Sequence, residues 1–123
     1  MVADYSDQAG EVLDKADQIF TDLGGTTAYQ TQVGHARIAM YAHQGAWDQV
    51  LIASNPLLTL AEHHQNAALL ADLWMMRAIA LDRQDQIAAA RAARLDSLGW
   101  ARYAYGDGPL LTAWYDGMAH FAE

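Results

Sequence analysis

Glu62-His63-His64 is the first place in this 123-residue chain where side chains able to do chemistry crowd together. With His35, His43 and His120 elsewhere, it invites a metal or small-ligand reading. Successive residues on a helix point about 100° apart, so His63 and His64 cannot both face one ion without irregular backbone. No His-Glu-x-x-His motif and no paired Glu-x-x-His motifs are present, and these are the spacings that put two ligands on one helical face. Asp116 and His120 stand at i,i+4, which suits an ion pair as well as ligation. Ser6, Ser54 and Ser97 are the three serines, and none sits in the Gly-x-Ser-x-Gly turn that exposes a nucleophile. Cysteine is absent, which excludes thiolate nucleophiles, thiolate zinc sites and disulfides. Gly106-Asp107-Gly108 does not continue into a phosphate-binding Gly-x-Gly-x-x-Gly. These residues predict no enzymatic activity, no metal and no cofactor; ligand or metal binding around Glu62, His63 and His64 is an alternative reading.

Charge is a stronger lead. The formal net charge is −8, but five of the seven basic residues (Arg77, Arg83, Arg91, Arg94, Arg102) fall between positions 77 and 102. Residues 1–31 carry six acids against Lys15 alone. An acidic chain lacks the broad basic footprint that sequence-independent nucleic-acid binding needs. On a helix, Arg91, Arg94 and Arg102 fall within an arc of about 80°, with Ile87 and Leu98 between them. Such a stripe can hold an acidic segment of another protein by charge-assisted hydrogen bonds and apolar contact. The competing reading pairs these arginines internally with Asp82, Asp96 or the acidic N-terminal helix.

The elements that position these residues are all helical. Every segment longer than ten residues has apolar positions at i, i+3, i+4, and no stretch alternates as a strand does. The first helix, from about Asp7 to Leu23, places Ala9, Val12, Leu13, Ala16, Ile19, Phe20 and Leu23 inward and ends at Gly24-Gly25, where a left-handed cap is easy. Thr27 and Gln30 fit a capping box that opens a helix running to Gln44. Tyr29, Val33, Ala36 and Met40 form one apolar stripe on it, and Ile38, Tyr41 and Ala42 a second. A third helix starts near Trp47 and is expected to stop or kink at Asn55-Pro56, because proline removes a backbone donor. A short helix then reaches about His64. From Asn66 the run NAALLADLWMMRAIALDRQ is apolar nearly all round, interrupted by Asp72 and Arg77 before Asp82; it is expected to be the buried centre, with Met75 and Met76 as core filling. A fifth helix follows Asp85, with Ala88, Ala92, Leu95, Gly99 and Tyr103 as its expected core face. Pro109 opens a last helix whose inner face is Leu110, Trp114, Met118 and Phe121. Of the aromatics Trp100, Tyr103, Tyr105, Trp114, Tyr115 and Phe121, four are expected in the core.

The fold class is therefore all-α: one domain over residues 1–123, about six antiparallel helices in stacked hairpins or a compact bundle. Between the second and third helices, Tyr41, Gly45, Trp47 and Val50 stand where the tetratricopeptide repeat has an aromatic, its corner glycine, a second aromatic and a small residue. The chain resembles that family over residues 33–51. Ala80-Leu81-Asp82-Arg83-Gln84-Asp85 looks like a second corner about 39 residues later, a period in the range of helical-hairpin repeats.

The resemblance implies a non-enzymatic protein-interaction or adaptor module. The residues expected to meet the partner, an acidic segment of another protein, are Arg91, Arg94, Leu98, Trp100, Arg102 and Tyr105. A further alternative is an acidic decoy that binds a basic partner through Glu11 and Asp14, and self-association into a homo-oligomer is also compatible. No apolar run approaches the roughly 20 residues that span a bilayer, and the N-terminus has no signal-like apolar region. A cytoplasmic location is expected, or a periplasmic one if a signal has been removed.

Overall fold

A computed structural model describes the backbone of residues 5–22 and 27–122, and the side chains of residues 8–19 and 30–122. The described residues form six α-helices and a terminal 3-10 turn: α1 Tyr5–Asp22, α2 Thr27–His43, α3 Trp47–His63, α4 Ala67–Arg83, α5 Ile87–Tyr105, α6 Pro109–Ala119 and η1 His120–Ala122. The expected Gly24-Gly25 stop and the Thr27 side chain of the expected capping box with Gln30 lie outside the described residues.

The three turns from α2 to α5 are built alike. Gly45, Gln65 and Asp85, at φ of 70°, 53° and 60°, follow one another at intervals of 20 residues. In each, the next residue's N–H reaches back to the helix just ended: Ala46 to Tyr41, Asn66 to Ala61 and Gln86 to Leu81. This is the left-handed helix cap with its six-to-one hydrogen bond. Gly45 takes the conformation at no steric cost, whereas Gln65 and Asp85 take it with a Cβ present. The corner glycine is thus one of three equivalent corners.

Each corner reverses the chain, so α2 to α5 pack as antiparallel neighbours, with α1 against α2. Arg37 on α2 holds Asp14 on α1 at 2.8 Å. The core lies between α2, α3 and α4, with Ile38, Val50, Leu70, Leu73 and Met76 almost wholly enclosed. Met75 is also buried, and α4 is the central element.

Pro56 does not end a helix. α3 runs unbroken from Trp47 to His63 with Pro56 inside it. The proline leaves the Ile52 carbonyl without its helical donor. In the same stretch of α3, Arg77 of α4 donates from Nη1 to the Leu51 carbonyl (3.0 Å), Ser54 Oγ (2.7 Å) and Asn55 Oδ1 (2.9 Å). A tertiary donor therefore braces the turn that proline weakens.

The largest departure is the rotation of α5. Its buried residues are Ala90, Ala93, Ser97 and Ala101, while Leu95 and Tyr103 are 66% and 81% exposed. Ala88, Ala92 and Gly99 are exposed as well. The expected core face points outward because small residues, not large ones, form the seam with α4. Ser97 Oγ donates to the Ala71 carbonyl at 2.7 Å, fully buried, a bond that needs the two helices in close approach. The antiparallel register set by that bond puts Ala101 across from Ala67 and Ala90 across from Ala78, all buried.

Smaller corrections share this logic. Val12 and Ile19 on α1, and Leu110 on α6, are more than half exposed rather than inward. Ala9 of α1 and Ala36 of α2, each placed in an inward stripe by periodicity, are exposed too. Of the C-terminal aromatics, Trp114 and Phe121 pack against the core and Tyr105 is half-buried, whereas Trp100, Tyr103 and Tyr115 are exposed.

Two outcomes follow for unfolding in urea. Gln65→Gly should raise stability by about 1 kcal/mol and Gly45→Ala lower it by a similar amount, since one relieves and the other creates a left-handed non-glycine. Pro56→Ala should raise stability by about 1–3 kcal/mol. An unchanged midpoint for the proline variant would show that the Arg77 bonds already offset its cost.

Candidate functional site

Two side-chain groupings stand out, one on each side of α4. The first is centred on Asp72, a polar residue in an apolar helix. Its Oδ1 accepts a hydrogen bond from Trp114 Nε1 of α6 at 2.6 Å. Its Oδ2 lies 3.3 Å from His35 Nε2 of α2, yet that nitrogen is buried and has no aligned hydrogen-bond partner. The pair is close but misaligned, and geometry rather than distance decides that no hydrogen bond forms. One carboxylate thus links α2, α4 and α6. At the far end of the same helices, His43 of α2 meets Phe121 at a centroid distance of 5.2 Å, and Arg83 of α4 donates to the Ala122 carbonyl. These two levels of contact show α2, α4 and α6 running in the same direction.

Beside Asp72 lies an open hollow of about 300 Å³ whose polar lining is Thr31, Gln32, His35, Asn66 and Asp72. Asn66 also caps α4, its Oδ1 accepting from the Leu69 N–H at 3.2 Å. Burial, and then the nearby Asp72 charge, raise the Tyr105 phenol above its ordinary pKa.

The second grouping is the arginine window. Arg91 is exposed, Arg94 and Leu98 are half-buried, and all three share one flank of α5 with Arg102 and Tyr105. Arg102 lies 3.5 Å from Asp107, both strongly exposed, which makes that pair weak. Tyr105 stacks on Trp114 at 6.3 Å, joining this ridge to α6. Among the described residues, no ion pair joins Arg91 or Arg94 to a carboxylate. Trp100 is not brought to this ridge. It lies roughly half a turn around the helix from Arg91, edge-on to Tyr103 at 6.4 Å.

Arg77, the remaining internal arginine, belongs to the fold rather than to the ridge. It sits 5.5 Å over the Trp74 ring, and burial lowers its pKa. Its Nε has no partner among the described residues.

The histidines do not converge. His63 and His64 are exposed, their rings edge-on at 5.1 Å, and no three metal-capable side chains cluster among the described residues. No described helix is long and apolar enough to cross a membrane.

Sequence reasoning missed the Asp72 junction. Its signal was present: Asp72 and Arg77 are the polar interruptions of the central helix, and each proves to reach across to neighbouring helices. His35, Trp114 and Ser54 were each noted for their own chemistry, but nothing in the spacing paired them with Asp72 or Arg77. No protein-family model, curated protein or solved structure matches the chain.

Trp114→Phe and Asp72→Ala should each destabilise the fold. A double-mutant cycle on urea unfolding should give a coupling of about 1–2 kcal/mol, as expected for a partly exposed hydrogen bond to a charged acceptor.

Proposed function

We propose that this protein is a non-enzymatic interaction module of the helical-hairpin kind, serving as an adaptor that holds an acidic segment of another protein. The observation that carries this reading is the ridge on α5. In a chain of net charge −8, Arg91 and Arg94 stand side by side without a carboxylate among the described residues. A cationic ridge left uncompensated by so many available acids is spare binding capacity. Leu98 and Tyr105 add apolar contact, and guanidinium groups offer paired donors to carboxylates.

The tetratricopeptide-like resemblance supports the same class, because stacked hairpins present extended surfaces rather than enclosed reaction sites. The equivalent corners at Gly45, Gln65 and Asp85 are in keeping with such stacking.

The probe is a fluorescein-labelled peptide rich in Glu, Asp and Leu, followed by anisotropy. Wild-type protein should bind it in a salt-sensitive manner. Arg91→Glu with Arg94→Glu should weaken binding roughly tenfold or more while leaving the thermal midpoint in place. Equal binding by the double variant, or a collapse of its stability, overturns the assignment.

A further inference from the structure

Asp72 carries a negative charge that the described residues leave uncompensated. It is half-buried on α4, and its two oxygens differ in what they meet. Oδ1 accepts from the neutral indole of Trp114 at 2.6 Å. Oδ2 has His35 Nε2 beside it at 3.3 Å, without the alignment of a hydrogen bond. Among the described residues no Lys or Arg pairs with this carboxylate. The charge is felt at Tyr105, where burial first and then Asp72 raise the phenol above its ordinary pKa.

The hollow of about 300 Å³ beside Asp72 has Thr31, Gln32 and His35 of α2 in one wall and Asn66, Ala68 and Asp72 in the other. Small-molecule sites run from about 300 to 1,000 Å³, so there is room for a side-chain-sized head group and little more. No lysine or arginine lines it. The Thr31 hydroxyl and the Gln32 and Asn66 amides bring further acceptor oxygens. An anion is poorly served, because Asp72 repels it and the Leu69 N–H at the start of α4 is already taken by Asn66 Oδ1. A bare metal ion needs several ligating side chains, and no three gather among the described residues. His35 Nε2 is shut off from solvent, so an incoming group meets the carboxylate rather than the imidazole nitrogen.

We propose that the hollow between α2 and α4 binds an organic cation with N–H donors, a guanidinium or primary ammonium head group seated on Asp72 Oδ2. Such a group brings the positive charge the carboxylate lacks and several donors for the oxygens around it. The same chemistry is supplied by a Lys or Arg side chain of another protein and by a free small alkylguanidine or alkylamine. The site lies across α4 from the α5 ridge and has the opposite charge, so it stands whether or not that ridge holds an acidic segment.

The indole N–H of Trp114, bonded to the other oxygen of the same carboxylate, reports on the site by nuclear magnetic resonance of isotope-labelled full chain. Trp114→Phe assigns its peak, and Trp47, Trp74 and Trp100 serve as internal controls. At constant ionic strength, methylguanidinium or methylammonium should move the Trp114 peak along a saturating curve. Tetramethylammonium, a cation of equal charge with no N–H donor, should not. Asp72→Asn keeps an acceptor for Trp114 and should weaken binding of the responding cation about tenfold or more. Ala68→Leu adds bulk to the wall with the charge intact and should weaken it as much. Blocked tripeptides with a central Arg or Lys identify the source: tighter binding than the small cation assigns the site to another protein's side chain, equal or weaker binding to a free small cation. A shift that never saturates, an equal response to tetramethylammonium, or undiminished binding by either variant overturns the proposal. If Asp72→Asn fails to fold, Ala68→Leu still decides it.

Discussion

A helix that is apolar on nearly every side has to be enclosed, and α4 imposes that requirement on the whole chain. Leu70, Ala71, Leu73, Ala78 and Ala80 are completely shielded from solvent. Covering them takes α2, α3, α5 and α6, which leaves little freedom in how those helices are placed. The two polar side chains set within this apolar surface then define the registers. Asp72 accepts from Trp114 and lies against His35, while Arg77 reaches into α3 beside Pro56. A polar group carried into the interior without partners is costly, so the positions of α2, α3 and α6 along α4 are tied to these anchors, while the Ser97 bond to the Ala71 carbonyl sets that of α5.

The α4–α5 seam decides what the molecule shows to the outside. Ala90, Ala93, Ser97 and Ala101 pack close against α4. That choice turns Leu95 and Tyr103 to solvent and leaves the arginines along a flank. The same rotation that closes the core exposes one apolar face and one cationic ridge. Asp72, on the other side of α4, lies beside an open hollow.

Legibility varied with how strongly a pattern was tied to one physical cause. The all-helical fold, the central place of α4, the corner at Gly45 and the burial of Met75 and Met76 could be read directly. Pro56 misled because the rule for proline is local, whereas the donors that brace its turn come from Arg77, more than twenty positions away in sequence. α5 misled because two faces were each plausible interiors. One carried larger side chains, and the other carried small ones that allow a closer approach.

Hydrophobic periodicity and turn residues by themselves determined the all-helical class, the approximate ends of the helices other than α3 and the arginine flank of α5, since these depend only on neighbours along the chain. Tertiary structure alone decided which side of α5 is buried, that α3 continues through its proline, and that His35, Asp72 and Trp114 meet. Those outcomes depend on distances between backbones of different helices, and no spacing within a single helix encodes them.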